Sequence, residues 1–168
     1  PDVLTAISNP PLLALQRATS TIPIVMMGHE SVALGLVASL ARPGGNITGM
    51  DGFAPELDPK RLQILHELAP RTARIAALYN PTGDPAMRLH FGQVVDAARK
   101  LGVEVRPFEV RQDEDFESAF AALVRERSDG LMTFSDGLTV LNGRRIADFA
   151  RESKLPSIFE FSIFADFG

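Results

Sequence analysis

Ile75, Ala76, Ala77, Leu78 and Tyr79 form an unbroken apolar run, and a strand of that kind has to be covered on both faces. A strand with one wet face would alternate instead. Helical periods flank the run. Leu57, Leu62, Leu65 and Leu68 share one face before Pro70, and Leu89, Val94, Ala97, Ala98 and Leu101 share another before Gly102. Phe116, Ala119, Phe120, Leu123 and Val124 keep i, i+3, i+4, i+7, i+8 spacing behind Asp113, read as their cap. A further helix around residues 144–153 would bury Ile146, Phe149 and Ala150. Short helices are expected over 12–19 and from Ser31 to the break at Pro43, and Asp84-Pro85 reads as an N-cap with Pro in the first turn. Apolar strands are expected at 3–7, 22–27, 131–134 and 157–161. The segment 103–108 alternates and holds Pro107, which marks an edge strand. Strands alternating with helices predict an α/β fold: parallel sheets flanked by helices on both faces, with right-handed crossovers.

The stretch Leu40-Ala41-Arg42-Pro43-Gly44-Gly45-Asn46-Ile47-Thr48-Gly49 breaks this rhythm. Pro43 cannot continue a helix, the Gly44-Gly45 pair frees the backbone, and a short strand-like piece leaves it. A turn-rich patch follows. The reading is a first α/β lobe over 1–50, a crossing segment over 51–59, a second lobe over 60–161, and the start of a return crossing over 162–168.

Composition narrows the function. The seventeen Lys and Arg are scattered, the net charge is −4, and one Tyr with no Trp supplies no base-stacking platform, so nucleic acid is not an expected partner. Cysteine is absent, which excludes disulfide and thiolate chemistry. No apolar run approaches the ~20 residues of a spanning helix. The chain opens at Pro1 without Met and is expected to be a piece of a longer protein.

In parallel sheets, ligands bind outside the carboxyl ends of the strands. The loops that qualify carry Ser8 and Asn9; His29, Glu30 and Ser31; Asn80 and Thr82; Asp136; and Phe159 and Glu160. Several precede helix starts, whose free N–H groups suit a carboxylate. The competing account is that Ser, Asn, Asp and Pro simply form turns and caps. Catalysis is not expected: His29, His66 and His90 lack metal-ligand spacing, the last two on solvated or half-buried helix faces. No phosphate-binding glycine loop or Gly-x-Ser-x-Gly is present. No cofactor or metal is expected.

Thr19-Ser20-Thr21-Ile22-Pro23-Ile24-Val25 and Gly35 through Gly49, with its Ala-Arg-Pro-Gly-Gly-Asn-Ile-Thr-Gly block, resemble ABC-transporter substrate-binding proteins related to the tryptophan/tyrosine-binding group. Pro59-Lys60-Arg61-Leu62, Leu78-Tyr79-Asn80-Pro81 and Arg144-Arg145-Ile146-Ala147 extend the resemblance along essentially the whole chain. It implies a type I periplasmic-binding-protein fold with an incomplete first lobe, closing on a small molecule such as an amino acid. It also implies a periplasmic or lipid-anchored location and a partner permease with its ATPase. Family members commonly carry an Asp-Pro pair after the second strand; here the loop reads Gly28-His29-Glu30-Ser31-Val32. Asp136 or Glu160 would hold an amino acid's ammonium. The alternatives are the effector-sensing domain of a transcription regulator and an α/β enzyme whose catalytic groups lie elsewhere. An incomplete first lobe also predicts a homodimer through residues 3–7 or 22–27.

Overall fold

The computed structural model describes residues 1–52 and 57–167. They fall into two compact units, one of Pro1–Pro55 with Asp84–Ala86, the other of Glu56–Gly83 with Met87–Gly168. Of the crossing expected over 51–59, residues 53–56 lie outside the described residues, as does Gly168.

The first unit is built from β1 (Leu4–Ile7), α1 (Asn9–Ala18), β2 (Ile24–Gly28) and β3 (Ile47–Asp51), with the three strands parallel in that order. Helix α1 starts earlier than the expected 12–19. Pro10 and Pro11 fall in its first turn, where a missing N–H costs nothing. Its Leu12 packs with Ala6, Ile24, Met26, Ile47, Leu36 and Val37 on one face of the sheet. The strand register sets Ile7 beside Met27 and Met27 beside Met50. On the other face this row is open to solvent, 72%, 50% and 66% exposed respectively.

The helix expected from Ser31 to Pro43 does not form. Residues 30–37 make a compact turn in which the Leu34 amide donates to the Glu30 carbonyl and the Leu36 amide to the Ser31 carbonyl. Gly35 takes φ +69°, a left-handed conformation through which a right-handed helix does not propagate, and Leu36 and Val37 turn into the core instead. Ser31 therefore caps nothing.

The second unit runs α2 (Leu57–Leu68), β4 (Arg74–Tyr79), α3 (Met87–Leu101), β5 (Glu104–Glu109), α4 (Asp115–Arg125), β6 (Gly130–Thr133), α5 (Gly137–Leu141), α6 (Gly143–Glu152) and β7 (Ser157–Ile158), then a 3-10 helix over Ser162–Phe167. The parallel sheet has the order β5-β4-β6-β7, with β5 at the edge as Pro107 predicts. The apolar run of β4 is buried throughout residues 75–79. Ile75, Ala77 and Tyr79 face α2 and α3, while Ala76 and Leu78 face α4 and α6, so this sheet is covered on both sides.

Four expectations shift. The last strand ends at Ile158, and Phe159 turns to stack on Phe164 at 4.5 Å. Four residues assigned to apolar helix faces are exposed: Leu57 and Leu68 at the two ends of α2, Leu89 in the first turn of α3, and Val124 in the last turn of α4. Asp113 does not cap α4; it accepts from Asn142, while the Asp115 carboxylate takes the Arg111 and Gln112 amides. Helix α3 begins at Met87, so Asp84 closes a turn onto the Ala86 amide ahead of it and does not serve as its N-cap.

Candidate functional site

Each unit brings polar side chains to the carboxyl edge of its sheet. In the first unit, Asn9 follows β1 and is fully buried. Its amide nitrogen donates to Asp84 Oδ1 at 3.0 Å, and its oxygen accepts the His29 backbone N–H at 3.1 Å. His29 Nε2 lies 3.2 Å from Asp84 Oδ2, and the Ala86 amide donates to Asp84 Oδ1 at 2.8 Å. Ser31 is also buried; its amide donates to Asp51 Oδ2 at 3.2 Å and its hydroxyl meets the Met26 sulfur at 3.6 Å. Ser8 is exposed, and Glu30 is half-buried with φ 54°.

Burial by itself would raise the Asp84 carboxyl, but hydrogen bonds from His29, Asn9 and the Ala86 amide outweigh it and hold the group below its ordinary 3.8. A depressed carboxyl contributes stability that is present above the unfolded-state value and lost as pH falls through the folded one. The first unit is therefore expected to lose stability below about pH 4, and Asp84→Asn to flatten that acid limb. Thermal unfolding from pH 7 to pH 2 checks this; parallel acid limbs for variant and wild type would refute it.

In the second unit, Asn80 follows β4. Its side-chain oxygen accepts from the Thr82 amide at 2.9 Å and hydroxyl at 2.8 Å, and its nitrogen lies 3.4 Å from Asp136 Oδ1. Asp136 follows β6 and caps α5, taking the Leu138 amide at 2.8 Å. Next along the edge, Glu160 is reached by the Thr133 hydroxyl, which donates to Oε2 at 2.6 Å. Arg61 from α2 donates to the Thr133 carbonyl at 3.1 Å and stands 3.9 Å from Glu160 Oε2. The other arm of its guanidinium holds the Asp58 carboxylate, whose second oxygen lies 3.3 Å from His90 Nδ1.

These two acids are tuned oppositely. Burial pushes the Glu160 carboxyl above 4.5, only partly offset by Arg61 and Thr133. Burial also acts on Asp58, but hydrogen bonds from His90 and Arg61 prevail and lower it.

The structure thus joins Asn9 with His29, and Asn80 with Thr82 and Asp136, and sets Glu160 beside them on the β4–β6–β7 edge. Phe159 joins the aromatic pair with Phe164. The sequence reading missed Asp51, Asp58, Arg61, His90 and Thr133, and gave Asp84 only a capping role. His90 was placed on a solvated or half-buried face; it is buried, 7% exposed, among Met87, Val94 and Ala98 on α3. Its spacing of three from Met87 and four to Val94 was the available signal.

The family profile described as "ABC transporter substrate binding protein" matches residues 1–166. The chain belongs to this family. Among known proteins it is similar to a tyrosine-binding protein of Clostridioides difficile (strain R20291), 32% identical over 158 residues covering 94% of this chain and 45% of that protein. It is also similar to the crystal structure of a conserved domain protein from Vibrio cholerae O1 biovar El Tor, at TM-score 0.87 and 28% identity over 100% of this chain and 56% of that one. A Streptococcus ABC domain crystallised with L-Trp shares the fold at TM-score 0.86 and 22% identity over 99% of this chain and 56% of that one. The fold is that of type I periplasmic binding proteins. The chain spans about half the length of the relatives it matches.

Proposed function

We propose that this chain is part of the solute-binding component of an ABC importer and captures an amino acid with an aromatic or branched side chain. It works without catalysis, outside the cytoplasm, and delivers its solute to a permease and its ATPase. The observation that carries the reading is the buried acid Glu160, with Asn80, Thr82 and Asp136, on the carboxyl edge of a parallel sheet where ligands of such folds bind. The kinship with a tyrosine-binding protein supports the solute class. Phe159 adds apolar surface at this edge, and in the first unit Ser8, Asn9, His29, Glu30 and Ser31 lie at the carboxyl edge of that unit's own sheet. Isothermal titration of the complete gene product against the twenty amino acids tests it. Binding of tyrosine or tryptophan is the expected result, with affinity lowered about tenfold or more in Asn80→Ala. A protein that binds none of the twenty would overturn the reading.

Produced alone, the chain is expected to pair with a second copy through the solvent-facing Ile7–Met27–Met50 row, since parallel sheets are stable when both faces are covered. Light scattering is expected to report a dimer that Met27→Lys converts to monomer. A clean wild-type monomer at high concentration would count against it.

A further inference from the structure

Helices α4 and α6 of the second unit leave a hollow of about 880 Å³ between them. Each leads into a strand of the same parallel sheet, so the two run in the same direction. Phe120 and Phe149, stacked at 4.1 Å, line the hollow. Val124 borders it in the last turn of α4, and Leu141 borders it just ahead of α6. They are 61% and 86% exposed. Single exposed apolar side chains are ordinary on a protein surface, but two beside one aromatic-lined hollow make a patch.

The charges around the hollow say what fits it. Arg145 is paired with Glu117 at 2.7 Å, and Arg151 with Asp148 at 2.6 Å. Arg144 and Glu152 also line the hollow, and neither is in an ion pair among the described residues; the Arg144 guanidinium lies over the Phe167 ring. Arg144 is in the first turn of α6 and Glu152 is its last residue, roughly 12 Å apart along the axis. Each is at the wrong end of its own helix, since the N-terminus disfavours a cation and the C-terminus an anion. An antiparallel second α6 corrects both at once. Arg144 then stands beside Glu152 of the second copy, and each charge lies at the helix end that attracts it.

We infer that the α4–α6 face pairs two copies of the protein about a two-fold axis, with α6 antiparallel to α6 and Arg144 of each copy against Glu152 of the other. A two-fold contact needs a patch complementary to itself, with opposite charges equidistant from its centre, and this face has that form. Asp148, midway between the two charges, is already neutralised by Arg151. The same rotation carries Leu141, at the leading end of the face, to the end of the hollow where the second copy holds Val124. Two helices of 11 and 10 residues bury little, so the dimer is weak, with a Kd on the order of 100 μM. It is weaker than the pairing of the isolated chain through Ile7, Met27 and Met50, and it stands apart from the solute-binding reading.

The test is sedimentation equilibrium of the complete gene product at concentrations up to several times that Kd. A reversible dimer is expected, weakened by added salt as the paired charges are screened. Arg144→Glu and Glu152→Arg are each expected to weaken it about tenfold or more, because each sets like charges against one another. The double variant is expected to return to within about threefold of wild type, which damage within one copy would not do. Leu141→Ser is expected to cost about tenfold through lost apolar burial. Met27→Lys, on the other unit, is expected to leave this dimer unchanged. Circular dichroism checks that each variant folds, and the two single reversals serve independently should one of them fail. A monomer at every concentration overturns the inference, whether the rest of the polypeptide or another protein covers the hollow. A dimer unmoved by either reversal, one that Met27→Lys abolishes, or a double variant that stays as weak as the singles also overturns it.

Discussion

Arg61→Met is expected to destabilise the second unit by about 3–5 kcal/mol at neutral pH, the usual cost of removing one partner from a buried ion pair. The guanidinium is the cation shared by Asp58 and Glu160, and all three side chains are nearly buried, at 13%, 13% and 7% exposure. Methionine fills the volume of the stem and supplies no charge, so both acids would lose their counterion together. The effect carries a pH signature. In the wild type, Asp58 sits below 3.8 because His90 and Arg61 overcome burial, and that contribution is present above 3.8 and lost as pH falls through its lower folded value. In Arg61→Met both carboxyls rise and take up protons earlier, which relieves the buried charge. The penalty is therefore largest at pH 7 and shrinks toward pH 4. Urea unfolding at both pH values checks it, and an equal penalty at the two would mean that the lost charge is not the cause.

Gly49→Ala is expected to cost the first unit about 4 kcal/mol or more, in the range reserved for a specific steric failure. Gly49 lies inside β3 with φ +145°, and a Cβ there would stand 2.1 Å from the Met26 carbonyl oxygen and 2.7 Å from the Met26 nitrogen. Both obstacles are backbone of the neighbouring strand, paired with Gly49 itself, so relief means pulling β3 off β2. Gly92→Ala on α3 is the control: it has open space around it, and alanine is expected to stabilise by about 0.5–1 kcal/mol. Chemical denaturation with hydrogen exchange on β2 and β3 reads both. A loss under about 1 kcal/mol for Gly49→Ala would show that the strands separate without cost.

Long periodic elements were legible in the sequence because they are set by burial. The β4 run and the Pro107 edge appear where periodicity puts them, and so do the α3 and α4 faces apart from Leu89 and Val124, which are exposed. The helix over 31–43 was misread because four apolar residues at helical spacing outvoted one glycine, and Gly35 turned the chain. The end of β7 was misread because Phe159 is held by Phe164, beyond the strand. At the carboxyl edges the loops were legible, since their Asn, Asp and Ser stand out between apolar runs. The charges that tune them were not. Asp58 was assigned to the crossing over 51–59 and Arg61 was singled out for no charge partner, and only the fold brings Thr133, His90 and Glu160 onto them across separations such as the 72 residues between Arg61 and Thr133. Asp84 was read as a helix N-cap, which it is not, and nothing local marked it as the partner of Asn9, 75 positions away.

That last pairing governs the order in which the polypeptide can mature. The first unit is finished only by Asp84–Ala86, which the sequence delivers after α2 and β4 have been made. As the chain leaves the ribosome, β1, β2 and β3 emerge well before the carboxylate that satisfies Asn9 and His29, so their polar edge waits in water until residue 86 arrives. A cut placed between the two halves would leave the earlier half permanently short of its own closing group.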